Sequence, residues 1–370
     1  MTISGLSLQS DWRWQVRHSL RCLEDLERRF KLTAAERRAI QGLDGRMPIA
    51  ITPYYADVIA RSPALRKTML PRPAEFIRAP GEFEDSLGED GHSPVPGLVH
   101  TYPDKVLFLV TDRCAVYCRY CTRSRLAGSG TLKSSTAAWK RAIAYIRKTP
   151  AIRDVLVSGG EPLVLSDEKL DWLLRRLRAI PHVEIIRIST KVPAAMPQRI
   201  TPNVVRVLRK YHPLWLSVHF THPDELTPES GRACARLADA GIPMCSQTVL
   251  LKGVNDSPGV IKKLMQGLLR FRVKPYYLHQ CDAVAGCSHF RTPVERGLEI
   301  VRSLHGFTSG YAVPTFMIDA PGGGGKVPVA PDYVAGREKG EWLLRNYLGS
   351  IFRYRDGTSR FGRDIRKARG

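Results

Sequence analysis

Three cysteines, Cys114, Cys118 and Cys121, lie within eight residues, separated by three and then two positions, directly after the apolar run Val106–Thr111. Thiolates are soft ligands suited to iron–sulfur clusters. Three of them on one tight loop can hold three irons of a [4Fe–4S] cluster and leave the fourth open, and an open iron is available for chemistry rather than electron storage alone. Structural zinc is the alternative this spacing leaves. Such a site would ordinarily bring two paired Cys/His elements, and no second CxxC or HxxxH pair follows the loop. A disulfide framework does not suit a long chain whose first residues lack the features of a secretory signal.

Two glycine motifs add to this. Ser158-Gly159-Gly160-Glu161-Pro162 closes the apolar run Asp154–Ser158. Adjacent glycines at a strand end let the backbone approach a ligand and expose N–H and C=O groups. Gly322-Gly-Gly-Gly-Lys326 is not a phosphate loop, because Val327 stands where the Mg²⁺-binding hydroxyl belongs. Four glycines make an arm without side chains, on which a lysine can swing between two positions. That suits a lysine which bonds pyridoxal phosphate and withdraws when substrate displaces it. Standing alone, the first motif would read as a generic turn and the second as a flexible loop with a solvated lysine.

The elements that must position these residues have a clear rhythm. Apolar runs at 106–111, 154–158, 183–188, 215–220, 244–251 and 275–279 alternate with amphipathic stretches such as 137–147, 168–178, 204–210 and 260–269. Strand, helix, strand at this period predicts right-handed parallel βαβ units. Six units, fewer than the eight of a closed barrel, predict an α/β fold built on a partial (β/α)6 barrel with chemistry at the carboxyl ends of the strands. Residues 1–95 read as an N-terminal helical and linker region. Thr33-Ala-Ala-Glu36 there is a capping-box helix start, and a Pro-, Gly- and acid-rich segment runs over 71–97. The barrel spans 96–305, and 306–370 forms a C-terminal segment with the glycine arm and a basic tail.

The chain has 370 residues, 43% hydrophobic and 25% charged, as expected of a soluble enzyme with a large core. No run is long enough to span a bilayer. Eight cysteines in such a chain suit a reducing compartment, so a cytoplasmic enzyme is expected. The formal charge of +22 is spread along the chain rather than gathered beside a nucleic-acid-binding motif, and reads as a solvated surface.

The cysteine spacing is the signature of radical S-adenosylmethionine enzymes. Together with Asp319-Ala-Pro-Gly-Gly-Gly-Gly-Lys326, the chain resembles the lysine 2,3-aminomutase family, which is dependent on pyridoxal phosphate (PLP). The resemblance runs through Trp12-Arg-Trp-Gln, Ile51-Thr-Pro-Tyr-Tyr, Tyr102-Pro-Asp, Cys121-Thr-Arg, Val249-Leu-Leu-Lys-Gly-Val-Asn-Asp256, Gln280-Cys-Asp282 and His289-Phe-Arg-Thr-Pro. It implies that Cys114, Cys118 and Cys121 ligate a [4Fe–4S] cluster and that Lys326 carries PLP. By the same resemblance Ser158, Gly159, Gly160, Glu161, Gln247 and Tyr102 contact cofactors, Arg123 clamps the substrate carboxylate, and Asp282 and Asp319 receive its distant ammonium. The implied reaction converts L-lysine to L-β-lysine, with an electron donor such as flavodoxin or ferredoxin, in a homo-oligomer. Arginine or another basic amino acid, or β-lysine supply for elongation factor P modification, are the alternatives.

The pattern also departs from the family. Thr101 and Lys105 replace the arginines flanking Tyr102-Pro-Asp that help bind the PLP phosphate, and Tyr120 replaces a histidine in the cysteine loop. No cysteine follows Cys287, and Ser257 stands at the position of an intersubunit zinc cysteine, so a dimer is expected rather than a zinc-locked tetramer.

Overall fold

The computed structural model describes residues 11–357 except 44, 133 and 134; the far tail, with Arg363, Arg366, Lys367 and Arg369, and the first ten residues lie outside them. The N-terminal layer contains α1 (Trp12–Arg17), α2 (Leu23–Arg29), α3 (Ala34–Gln41), α4 (Pro53–Ala60) and α5 (Pro63–Met69). Thr33 caps α3 as its capping box predicts, accepting from Glu36 N while Glu36 accepts from Thr33 N. Between α1 and α2, Leu20 pairs antiparallel with Ile51.

Among the described residues nine strands form one sheet in chain order: β1 (Leu98–Tyr102), β2 (Lys105–Leu109), β3 (Asp154–Ser158), β4 (Ile185–Thr190), β5 (Leu214–His219), β6 (Met244–Leu250), β7 (Lys274–Gln280), β8 (Thr315–Ala320) and β9 (Gly325–Pro328). Pairings from β2 through β8 are parallel, while β1 and β9 add antiparallel edges. The six apolar runs are β2 to β7, so the barrel reading holds. Beyond these six, β8 adds a seventh parallel strand, and the glycine motif turns the chain back as β9. The two edges approach each other: the Tyr102 hydroxyl at the end of β1 accepts from Lys326 N on β9 at 2.7 Å.

The connecting helices are α6 (Thr136–Lys148), α7 (Asp167–Arg178), α8 (Val192–Ala195), α9 (Pro202–Arg209), α10 (Pro228–Asp239), α11 (Pro258–Arg270) and α12 (Val294–Leu304). Their apolar stripes cover the outer face of the sheet. Ile186 and Ile188 of β4 and Val155 and Val157 of β3 are fully buried there with Leu173, Leu174 and Leu177 of α7. Burying a Leu, Ile or Val contributes about 1.5–3 kcal/mol apiece, so this layer holds the strands rigidly. A small antiparallel sheet, β10 (Val334–Glu338), β11 (Glu341–Arg345) and β12 (Ile351–Arg355), follows. On it Arg353 pairs with Glu338, and Arg353 and Arg355 approach Glu341, so the described part of the basic stretch lies in exposed ion pairs. No described helix is long and apolar enough to cross a membrane.

Candidate active site

The inner face of the sheet is lined differently from the outer one. Alternate residues point inward along each strand. Those positions carry Leu107, Leu156, Ser158, Arg187, Ser189, Ser217, His219, Cys245, Gln247 and His279. A closed barrel fills its interior with branched apolar side chains; small and polar ones leave a hollow here, of about 560 Å³. That is the size of a small-molecule site. Of the residues expected from sequence, Tyr102, Arg123, Ser158, Gln247, Asp282, Asp319 and Lys326 all line this one cavity.

Lys326 meets it from β9. The tight turn Pro321–Gly323 places Asp319 and Lys326 opposite each other in the β8–β9 ladder. Lys326 Nζ donates to both Asp319 carboxylate oxygens at 2.8 Å, and His279 Nδ1 lies 3.3 Å from Oδ2. Burial pushes the Asp319 carboxyl upward, but the His279 hydrogen bond and the lysine outweigh it and hold it at about 2. The glycine stretch is therefore a structured hairpin rather than a loose arm. Gly323 has φ 88°, and a Cβ on it would fall 2.3 Å from His92 Cε1; on Gly325 it would fall 3.0 Å from the Tyr102 hydroxyl.

Asp282 follows β7, and Thr122 Oγ1 donates to it at 2.7 Å. Burial, with the neighbouring Asp319 charge adding to it, raises its carboxyl above the usual range despite the Thr122 bond. Two acids of opposite tendency share one end of the cavity, which favours the arrival of a cation. Arg123, adjacent to Thr122, is met by a carboxylate from the linker: Nε lies 3.0 Å from both Glu89 oxygens and Nη2 2.6 Å from Oε1. Nothing in the linker's composition marks Glu89. His279 was equally silent, a single histidine within a strand.

The cysteine loop follows β2 and is pinned to the N-terminal layer. Tyr117 N donates to Ala50 O and Arg119 N to Thr68 O. The buried Arg119 guanidinium pairs with Glu75 at 2.6 and 2.9 Å and also donates to the carbonyls of Met47 and Pro48. Cys114, Cys118 and Cys121 are free thiols, half-buried, and burial pushes each upward, Cys118 to about 11. Tyr120, in place of the family's histidine, donates or accepts at Thr221 Oγ1, 2.8 Å away. Among the described residues no three His, Cys, Asp or Glu side chains converge on a single-ion point. Thiolates around a cluster each meet a different iron and form a wider triangle.

The glycine pair packs where the loop leaves the sheet. A Cβ on Gly159 would fall 2.2 Å from Thr111 O, and one on Gly160 2.4 Å from Arg113 O. Gly160 N and Glu161 N donate to those same carbonyls, which locks the glycine pair against the start of the cysteine loop. Both glycines line a small depression beside the main cavity, together with Arg123. The Glu161 side chain faces away from it: buried, it accepts from Leu163 N and Lys191 N, and burial raises it to about 7. Thr101 and Lys105 line the cavity, with Lys105 Nζ 4.2 Å above the Tyr102 ring. Ser257 caps α11, its hydroxyl accepting from Val260 N.

A cysteine loop, a glycine pair and a hollow, nearly closed parallel barrel, all opening at the carboxyl ends of the strands, define a radical S-adenosylmethionine enzyme. In agreement, the family model "Radical SAM superfamily" matches residues 108–264 and "Lysine-2,3-aminomutase" matches residues 301–364. The chain is 52% identical to L-lysine 2,3-aminomutase of Acetoanaerobium sticklandii and 50% identical to that of Clostridium subterminale, in each case over 93% of this chain and 84% of the relative. It is 39% identical to glutamate 2,3-aminomutase of Clostridioides difficile, over 94% of this chain and 84% of the relative. The chain belongs to the lysine 2,3-aminomutase family. It is thus an isomerase of the radical S-adenosylmethionine type, whose cofactors are a [4Fe–4S] cluster, S-adenosylmethionine and PLP, with an amino acid as substrate and an external electron donor.

Proposed function

We propose that this chain moves the α-amino group of L-lysine to Cβ, giving L-β-lysine. The observation that carries the substrate is the grip of Asp319 on an ammonium: the chain's own Lys326 Nζ sits on both carboxylate oxygens at 2.8 Å, with Asp282 on the same wall. A substrate lysine ends in the same ammonium. Two carboxylates facing a cavity are costly to desolvate unless a cation arrives. A glutamate side chain would meet repulsion there.

The residues present fit the cofactors. Three half-buried thiols on one pinned loop, with Lys191 beside Cys118 and Arg119 and Arg123 beside Cys121 to favour the thiolate, suit a cluster held by Cys114, Cys118 and Cys121. The side-chain-free backbone of Gly159 and Gly160, lining the small depression beside Arg123, suits the amino group of S-adenosylmethionine, and Lys326 beside Tyr102, Ser158 and Gln247 suits PLP. When bound, these groups supply a hydrogen-abstracting carbon radical and an aldehyde that conjugates the migrating nitrogen. The protein does the rest by placement. Arg123 holds the carboxylate at one end, while Asp282 and Asp319 hold the ammonium at the other. Between these anchors Cα and Cβ are fixed against the reacting groups, and the positioning supplies catalysis. Asp319 receives Lys326 whenever that amine is free, and against burial His279 and the lysine together hold its carboxyl low. The assembly we read is a homodimer through the N-terminal helices, reduced by a flavodoxin or ferredoxin.

The test is anaerobic reconstitution followed by incubation with lysine, arginine, ornithine and glutamate, with products read by mass spectrometry. β-Lysine formation is expected. Activity on glutamate but not lysine overturns the assignment of the two acids.

A further inference from the structure

We propose that Glu89 is the positioning residue for Arg123, and that residues 87–92 form a strap holding the carboxylate end of the site in register with the Lys326 hairpin. The inference rests on the reading above that Arg123 takes the substrate carboxylate.

A guanidinium offers two edges at which a carboxylate can bind through two hydrogen bonds, the Nε/Nη2 side and the Nη1/Nη2 end. Glu89 occupies the side edge through Nε and Nη2. Nη1 makes no hydrogen bond among the described residues, and Arg123 lines the cavity. The end edge is thus left for a free carboxylate. Without Glu89 the long side chain would be free to rotate and its charge would lie largely buried and unpaired, with 23% of the side chain exposed.

Glu89 is itself fixed from both sides. Arg125, two residues beyond Arg123, pairs with Asp90 at 2.7 Å and Asp85 at 3.3 Å, clamping the strap to the end of the cysteine loop. Ser93 Oγ donates to Glu89 O, and His92 Nδ1 lies 2.8 Å from Gly88 O. On the other flank the strap lies on the hairpin turn. Gly88, at φ 64°, has room for no Cβ, which would fall 2.8 Å from Gly322 C, and His92 fills the space beside Gly323. One short segment therefore touches the residue that takes the carboxylate and the turn that carries the lysine. The distance between the two ends of a bound amino acid is set by that shared contact.

The experiment uses the reconstituted full-length enzyme and the variants Glu89→Gln, Glu89→Asp and Arg123→Lys. Amino-acid binding is followed by the change in PLP absorbance, and kcat and KM by product formation. Because hydrogen bonds to charged groups are involved, Glu89→Gln is expected to weaken lysine binding and raise KM by roughly ten- to a hundred-fold. Its kcat should fall much less, and binding of lysinamide, which has no carboxylate, should stay within about threefold of the parent. A merely structural role would weaken lysine and lysinamide alike, and that result overturns the proposal. If Glu89→Gln does not fold, Glu89→Asp, which keeps the charge but draws it back, decides by the same comparison. Should Arg123→Lys leave lysine binding unchanged, the role of Arg123 itself is wrong. Should it weaken binding while neither Glu89 variant does, only the positioning proposal fails.

Discussion

Replacing Asp319 by Asn removes the charge from the ammonium end of the cavity while keeping the shape. The parent carboxylate accepts two charged hydrogen bonds from Lys326 at 2.8 Å and is met by His279 at 3.3 Å. At an effective dielectric of about 20, the Coulomb attraction of such an ammonium–carboxylate pair is on the order of 4–6 kcal/mol. A third of the Lys326 side chain is exposed, so screening lowers that figure. Hydrogen bonds to charged groups contribute about 1.5–3 kcal/mol, which corresponds to a roughly 10- to 150-fold rise in KM for lysine. The assay is β-lysine formation against lysine concentration, with L-norleucine, lysine without its terminal ammonium, as a competing ligand. In the variant the preference for lysine over norleucine should fall by the same factor, while PLP content, read from its absorbance, stays at the parent level. An unchanged preference with unchanged PLP content would refute the assignment of Asp319 to the substrate cation.

Two further outcomes follow from buried charges outside the cavity. Glu161 titrates near 7 when folded, against an ordinary value near 4.5. The unfolded state gives up its proton first as pH rises through that window, so this group lowers stability by about 3 kcal/mol between pH 4.5 and 7. Urea denaturation at pH 5 and 7.5 should show that slope removed in Glu161→Gln; an identical slope contradicts the burial of its charge. Glu75→Ala leaves Arg119 buried without its partner, the two side chains being 7% and 4% exposed, and should destabilise by about 3–5 kcal/mol. Because Arg119 pins the cysteine loop, iron bound per chain after reconstitution should fall with it, and an unaltered melting temperature and iron content would remove Arg119 from that role.

Much of this was legible because local pattern and tertiary outcome coincide. Strands β2 to β7 show as apolar runs since their outer faces are buried by amphipathic helices, and the cysteine spacing is local to one loop. Gly159 and Gly160 were legible as special, but not why: the structure puts their Cα atoms against Thr111 O and Arg113 O, a contact between two strand ends over forty residues apart. The four glycines before Lys326 suggested looseness. They form a hairpin in which three of them take positive φ, and His92 beside Gly323 and Tyr102 beside Gly325 leave no room for side chains there.

By itself, then, the sequence determined the class of chemistry. Three thiols at that spacing, a lysine behind glycines and two separated aspartates are chemical identities, and identity is carried residue by residue. Which of them meet was decided by the tertiary structure. The register of the β8–β9 ladder puts Lys326 on Asp319, and the curl of the sheet brings Tyr102 to the same hairpin. The linker, which has no periodicity to read, sets Glu89 on Arg123 from thirty-four residues away. Such pairings depend on chain closure over long loops and on packing against a rigid core, terms that no local stretch of sequence contains.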